Sequence, residues 1–326
     1  MIISRTPMRV SFAGGGSDLR EYYKHGYGAV LSTAINKHIY ITVNRRFHEN
    51  IRVGYSQIEE AESVHEIKHN IVREAMKLTG VGKATDIYYM SDMLPAHEGS
   101  GLGASSSLAV GTLNALYAYT GEHVSAERLA QEACRIEIEI LGHPIGKQDQ
   151  YAAAYGGFNF IRFNDDETVV VTPVIMKPEV KQKLSRRLIF FYTGLGSRSD
   201  TILTEQRKHT ESNLDTLHRM VELAEDLRDA LRAGDLTQFG SILHEGWLYK
   251  QRLASNVTNP LIDSYYERGV TAGALGGKLL GSGGGGFLCF YCTEDKQDKV
   301  KQALSNLRTV DFSLEPEGSR IIYVSD

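Results

Sequence analysis

The sequence predicts a globular protein that mixes strands and helices within one large domain or two medium ones. Three observations lead there. At 326 residues the chain is long enough for an ample core. Its 42% hydrophobic and 23% charged residues are ordinary for a folded soluble chain. Runs dense in β-branched residues also alternate with runs of helical apolar spacing, punctuated by glycine-rich turns. The net charge of −4 offers no general attraction to nucleic acid or anionic membrane, so neither is an expected partner and any anion site must be local. No apolar run is long enough to span a bilayer, and Met1 to Pro7 lacks the charged and apolar regions of a signal peptide. Three cysteines without framework spacing (Cys134, Cys289 and Cys292) point to a reducing, cytoplasmic setting.

Taken in order, Ile2 to Ala13 reads as a strand interrupted by Pro7. It ends in Gly14-Gly15-Gly16-Ser17-Asp18, either a tight turn with a Ser or Asp cap for the segment Leu19 to Lys24, or a ligand-facing loop with Arg9 and Asp18 across it. Ala29 to Phe47 reads as two strands broken near Asn36-Lys37. Val64 to Leu78 reads as a helix with Val64, Ile67, Ile71, Ala75 and Leu78 as its buried stripe. After a short strand, Thr85 to Met90, comes the stretch Pro95-Ala-His-Glu-Gly-Ser-Gly-Leu-Gly-Ala-Ser-Ser-Ser107, opening an amphipathic helix through Tyr119. A glycine loop feeding a helix N-terminus presents free N–H groups and the positive dipole end, a ready phosphate site; a flexible loop with a serine cap is the plainer alternative. Ser125 caps a helix to Leu141, Gly142 ends it, and the chain restarts near Lys147. Glu137 then reads as a surface charge and Asp149 as a helix-start residue, unless they serve a site.

Strands follow at Phe158 to Phe163, Thr168 to Val174 and Leu188 to Tyr192, with the charged segment Lys177 to Arg187 as the expected domain junction. Ser199 to Arg252 is mostly helical with a break at Gly234-Asp235, and Pro260 to Leu275 is another helix. A second glycine run, Gly281 to Gly286, precedes the strand Phe287 to Tyr291. A helix (Asp295 to Leu307) and a strand (Ser319 to Val324) close the chain.

Several motif matches fail on context. Gly281, Gly283 and Gly286 fit G-x-G-x-x-G, but a strand follows where the dinucleotide fingerprint needs a helix. A glycine hairpin between closely packed backbones is the remaining reading. No Walker A spacing occurs. His65-Glu-Ile-Lys-His69 fits the H-E-x-x-H zinc pattern, but the histidines would lie opposite the buried stripe, without an evident third ligand. Cys289-Phe-Tyr-Cys292 sits in an apolar strand, which favours two packed thiols over redox chemistry.

Three stretches, in order, resemble the motifs of the GHMP small-molecule kinases: Arg5-Thr-Pro-Met-Arg9-Val-Ser-Phe-Ala-Gly-Gly-Gly-Ser-Asp18, Pro95 to Ser107, and Lys278-Leu-Leu-Gly-Ser-Gly-Gly-Gly-Gly-Phe287. The wording Phe-Ala-Gly-Gly-Gly-Ser-Asp-Leu, then Asn36-Lys-His-Ile-Tyr-Ile, is similar to the D-glycero-D-manno-heptose 7-phosphate kinase subgroup and to fucose-type kinases. Galactokinases carry Glu-His where this chain has Gly15-Gly16. The resemblance implies an α+β fold: a ribosomal-protein-S5-like N-terminal domain (1–180) with the ATP and catalytic loops, and a ferredoxin-like C-terminal domain (181–326). It implies ATP and Mg²⁺ as cofactors. Gly99, Gly101, Leu102, Gly103, Ala104, Ser105 and Ser106 would wrap the ATP phosphates, and Ser105 and Glu137 would hold Mg²⁺. Asp149 would orient or deprotonate the acceptor hydroxyl, with Arg9 pairing with Asp149 or with transferring phosphate. Gly15, Gly16, Ser17 and Asp18, with Gly283, Gly284 and Gly285, would line the substrate. In phosphoryl transfer the protein mainly positions groups and spreads charge, so a metal, a cation and an amide cradle are the parts expected.

The expected reaction is transfer of the ATP γ-phosphate to a sugar hydroxyl, foremost the anomeric hydroxyl of heptose 7-phosphate. A free fucose- or mannose-type sugar is the alternative acceptor, and a sugar- and ATP-binding regulator that has lost catalysis is the alternative of another class. Lys37, Arg52, Lys147 and Arg198 are candidates for the acceptor's phosphate. The expected partners are that small molecule and a second copy of the chain in a homodimer.

Overall fold

The computed structural model describes residues 1–93, 99–197 and 199–325. The start of the second glycine motif (94–98) and Arg198 lie outside the described residues.

The first sheet is built on two long strands, β1 (Ile2–Ala13) and β2 (Tyr27–Arg45), which pair antiparallel along their lengths. The expected break in the second of these is a bulge inside one continuous strand. Pro7 pairs with His38 and Met8 with Ile35, so Asn36 and Lys37 loop out of the register. Proline has no N–H to give the ladder, and an extra pair of residues absorbs the mismatch opposite it. The Pro7 carbonyl accepts from Ser107 Oγ at 2.8 Å.

Around this pair lie β3 (Ile51–Gly54), β4 (Ile58–Ala61), β5 (Thr85–Ser91), β6 (Phe158–Asn164) and β7 (Val169–Pro173). The strand order is β12-β1-β2-β5-β3-β4, with β6 on the first half of β2 and β7 beyond it. The last strand, β12 (Arg320–Val324), returns from the end of the chain to pair with Ile2 to Arg5. The second sheet is antiparallel with order β11-β8-β10-β9, from β8 (Leu188–Tyr192), β9 (Gly276–Leu279), β10 (Phe287–Tyr291) and β11 (Arg308–Val310). The segment expected as a junction is helix α6 (Pro178–Arg187), which runs straight into β8. In chain order the helices before α6 are α1 (Arg20–Tyr23), α2 (Asn70–Thr79), α3 (Ala104–Tyr119), α4 (Ala126–Cys134) and α5 (Gln148–Tyr155).

Helix α3 was expected to be amphipathic. Instead every residue from Ser106 to Tyr117 is buried. It is sandwiched between β1–β2 on one side and α2, α4 and α5 on the other, so no face is left for water. It can lie this close because Gly111 has no side chain: a Cβ there would sit 2.7 Å from Thr6 Oγ1. The expected helix over Val64 to Leu78 begins later. Val64–Glu66 forms one 3-10 turn, and His69 is the cap of α2, its ring edge-on to the stacked rings of Tyr55 and Tyr89. The H-E-x-x-H stretch is therefore not on a helix, and among the described residues no group of three His, Cys, Asp or Glu could hold a metal ion.

Helices α7 (Ser199–Lys208), α8 (Leu214–Ala233), α9 (Leu236–Lys250), α10 (Pro260–Thr271) and α11 (Gln297–Ala303) cover the remaining faces. The α8–α9 hairpin bridges the sheets. Gly234 closes α8 with φ +78, and the Asp235 carboxylate caps α9 by accepting from Thr237 and Gln238 N–H. α8 rests on β2 and β1, and α9 on β9. The three cysteines are buried free thiols. No helix among the described residues is long and apolar enough to cross a membrane.

Candidate active site

All three glycine turns converge on a cleft of about 560 Å³ at the junction of the sheets. The first turn follows β1. Its Ser17 faces inward, donating from Oγ to the carbonyls of Gly14 and Ala29 at 2.7 and 3.0 Å. Ser17 is fully buried and absent from the cleft wall, so it shapes the loop and leaves ligand contact to Gly15, Gly16 and Asp18, which do line the cleft. Nor do Ser17 and Asp18 cap α1, whose cap is Leu19. Asp18 instead accepts from Gly16 N–H and Gln148 Nε2, both at 3.0 Å, with one oxygen. Burial, then the nearby Asp149 carboxylate, raises its pKa above the usual 3.8.

The second turn enters α3. Gly99, Gly101 and Gly103 all adopt positive φ, and Gly103 is the residue before the helix. Because it carries no capping side chain, the first-turn N–H groups of Ala104, Ser105 and Ser106 stay available at the cleft wall. Leu102 contributes only backbone: its side chain is buried, and its carbonyl accepts from Arg9 N–H at 3.0 Å.

Arg9 and Asp149 form the centre. Arg9 Nε and Nη2 each donate to one Asp149 oxygen at 2.7 Å, a two-pronged pair, and Nη1 donates to the Gly101 carbonyl at 2.7 Å. A Cβ at Gly103 would lie 3.2 Å from Asp149 Oδ2, so this glycine keeps room for the pair. Glu137, readable as a surface charge, is completely buried. It lies on the widened π-type turn Arg135–Ile140 that continues α4, a local irregularity that carries it inward. Its carboxylate accepts from Ser105 Oγ and Gln150 Nε2, each at 2.7 Å. Burial raises its pKa above the ordinary 4.5.

The third turn lies between β9 and β10, as the hairpin reading expected. The glycines at the cleft wall, however, are not the expected ones. Gly281 and Ser282 line it, while Gly283 to Gly285 pack behind. Gly284 N–H donates to the Val257 carbonyl at 3.0 Å, and a Cβ on Gly285 would strike the Leu195 carbonyl at 2.4 Å. Gly281 meets the second turn face to face: a Cβ there would lie 2.4 Å from Gly101 Cα.

Sequence reasoning missed several wall residues: Ser11, Gln148, Gln206, Lys250 and, as a cleft cation, Lys278. Ser11 Oγ is buried without a hydrogen-bond partner. Lys250 had a legible signal, since Phe239, Leu243, Trp247 and Lys250 follow helical spacing on the buried stripe of α9. Of the four cations expected to meet an acceptor phosphate, Arg52 is paired with Asp86 and Lys147 with Glu167. Neither lines the cleft, and nor does Lys37. Arg198 lies outside the described residues.

The model of the GHMP kinases N-terminal domain matches residues 67–157, and that of the GHMP kinases C-terminal domain matches 227–308. The chain is 30% identical to a D-glycero-alpha-D-manno-heptose 7-phosphate kinase of Campylobacter jejuni subsp. jejuni, over 97% of both chains. It is 25% identical to a bifunctional fucokinase/GDP-fucose pyrophosphorylase of Arabidopsis thaliana, covering 91% of this chain and 30% of that longer protein. The crystal structure of a D-glycero-D-manno-heptose 1-phosphate kinase from Bacteriodes thetaiotaomicron superposes over 100% of both chains, with a TM-score of 0.82 and 26% identity. With its α+β GHMP kinase fold and its glycine turns gathered on one cleft, the chain belongs to the GHMP kinases and is an ATP-dependent sugar kinase, a phosphotransferase with a hydroxyl group as acceptor.

Proposed function

We propose that the chain transfers the γ-phosphoryl group of ATP to the anomeric hydroxyl of D-glycero-D-manno-heptose 7-phosphate. The observation that carries the mechanism is the two-pronged Arg9–Asp149 pair beside the open N-terminus of α3. The ATP phosphates would lie on the Gly99 to Ser106 backbone, where N–H groups and the helix dipole favour anions. The acceptor would lie against Gly15, Gly16, Asp18, Ser11 and Gln148. Arg9 engages both Asp149 oxygens and leaves their remaining lone pairs to receive the sugar hydroxyl. Asp149 thus acts first by orientation, aiming the hydroxyl oxygen at the γ-phosphorus. The bond from the bridging oxygen to the γ-phosphorus breaks, ADP leaves, the new oxygen–phosphorus bond forms, and the hydroxyl proton passes to the Asp149 carboxylate and on to solvent.

Mg²⁺ fits the residues present. Glu137 is a buried carboxylate held by neutral donors, and the Ser105 hydroxyl is beside it. Mg²⁺ takes few protein oxygens and keeps several waters, and when bound it would offset phosphate charge. A cytoplasmic setting and a homodimer belong to the same proposal, as does a division between N- and C-terminal domains near residue 180.

The heptose phosphate assignment is supported by the 30% identity to a kinase of that name over nearly the whole chain. The two heptose relatives carry different phosphate positions in their names, and a free sugar of the fucose type is the second reading. It is favoured by one observation: Lys37, Arg52 and Lys147 all lie off the cleft wall. ADP release across a panel of heptose 7-phosphate, fucose, mannose, galactose, N-acetylhexosamines and mevalonate tests both. Strong preference for heptose 7-phosphate is expected. Preference for a free sugar overturns the acceptor, and ATP binding without turnover on any acceptor favours the regulator that has lost catalysis.

A further inference from the structure

Lys250 ends the buried stripe of α9 and is itself buried at the cleft wall. Its ammonium donates to two backbone carbonyls, Leu279 at 2.8 Å and Gly281 at 2.5 Å. An ammonium has three N–H groups, so one is left without a hydrogen-bond acceptor among the described residues. Burial, and then the neighbouring cations Lys278 and Arg9, depress its proton affinity. Lys278 is likewise buried, donates to the Phe12 carbonyl at 3.1 Å, and is pushed down to about 8 by burial. Arg9 is neutralised by Asp149, whereas among the described residues no carboxylate pairs with either lysine: Lys278 has one carbonyl, and Lys250 has two carbonyls and the Trp247 ring, whose centroid lies 5.8 Å from its ammonium. Burying an unneutralised cation is unfavourable unless an anion arrives to share the space.

The position of Lys250 says which anion. Its partner Gly281 packs on Gly101, whose carbonyl is held by Arg9, which holds Asp149. One turn beyond Lys250, the Leu253 side chain lies 3.4 Å from where a Gly16 Cβ would be, at the acceptor turn. Lys250 therefore stands between the turn proposed for the nucleotide phosphates and the turn proposed for the acceptor. We propose that its free N–H contacts the phosphoryl group in transit, supplying positive charge to the γ-phosphate oxygens as the bridging bond breaks. In this role the lysine acts as a charge on the phosphoryl oxygens and takes no proton from the acceptor. This rests on the kinase reading but not on which sugar is the acceptor.

The competing role is purely mechanical: Lys250 as a clamp tying α9 to the β9–β10 turn. Lys250→Gln separates the two, because a carboxamide NH₂ can still donate to both carbonyls but carries no charge. The measurement is calorimetric binding of ADP and of the β,γ-imido analogue of ATP, with Mg²⁺, followed by turnover. A hydrogen bond to a charged group contributes about 1.5–3 kcal/mol, so the imido analogue should bind roughly 10- to 100-fold more weakly to the variant. ADP affinity should change less than about threefold, and kcat should fall at least tenfold with every acceptor. Equal losses for both nucleotides, or no loss, overturn the proposal in favour of the clamp. A rise in KM confined to phosphorylated acceptors also overturns it and moves Lys250 to the acceptor's own phosphate. If Lys250→Gln does not fold, Lys250→Met removes the charge and both carbonyl bonds together, and the test is then the ratio of imido-analogue loss to ADP loss, from which an equal effect of a loosened turn cancels. A wild-type protein that binds neither nucleotide overturns the kinase reading itself, an outcome distinct from a variant that discriminates as well as wild type.

Discussion

Removing the partners of the Arg9–Asp149 pair singly and together tests whether they act as one unit. The variants are Arg9→Met, Asp149→Asn and the double. The side chains are 6% and 22% exposed, and both prongs measure 2.7 Å. Asp149→Asn keeps the shape but turns one accepting oxygen into an NH₂ that faces a guanidinium donor. Orphaning one member of a buried pair costs about 3–5 kcal/mol, and the partial exposure of Asp149 places this pair near 3. Arg9→Met also frees the Gly101 carbonyl, so it should be the more damaging single change. At about 2 °C per kcal/mol for a chain of this length, Asp149→Asn should melt about 6 °C lower and Arg9→Met at least as much. In the double variant no charge is left unpaired. A coupling of about 2 kcal/mol should hold its loss to about 8 °C, where simple addition gives about 12 °C. Urea unfolding and calorimetry measure the stabilities, and ADP release measures turnover, which should fall at least about 100-fold in Asp149→Asn. An additive double variant refutes the pairing argument. Near-normal turnover of Asp149→Asn with every acceptor removes Asp149 from the mechanism.

The buried Glu137 makes a signed pH prediction. Its folded pKa is raised above 4.5 by burial, so its contribution is fully present below that value and is lost as pH rises through the raised one. The stability advantage of Glu137→Gln over wild type, both without ligand, should therefore widen as pH climbs from about 4.5, and Mg²⁺ with nucleotide should shrink it. A flat difference across that window contradicts the assignment. The contact of two glycine turns gives a steric prediction. Gly281→Ala places a Cβ 2.4 Å from Gly101 Cα at φ +71, whereas Gly194→Ala bears the same strain at φ +73 with nothing within 4 Å. Strain alone costs about 1–2 kcal/mol in both, so only Gly281→Ala should lose turnover, by at least tenfold. Equal losses would show that the approach of the two turns is unimportant.

What the sequence by itself determined was local. The glycine entry to α3, the cap at Ser125 and the Gly234-Asp235 break are each set by residues within a few positions, and each is where the pattern puts it. The three ordered motifs carried the family, and through it the grouping of Arg9, Asp149, Ser105 and Glu137. The tertiary structure alone decided direction and burial. Ser17 faces its own loop, and Gly283 to Gly285 press on Val257 and Leu195, because those neighbours arrive from distant parts of the chain. The break expected at Asn36-Lys37 became a bulge because Pro7, on the neighbouring strand, sets the register. His69 fell outside α2 because its ring packs edge-on against Tyr55 and Tyr89. Lys250 is the clearest case. Its place on an apolar stripe was written in the helix period, but what it faces was set only when α9 was laid against β9 and the glycine turns met. Periodicity fixes which side of an element is buried; the packing of elements far apart in sequence fixes what that side meets.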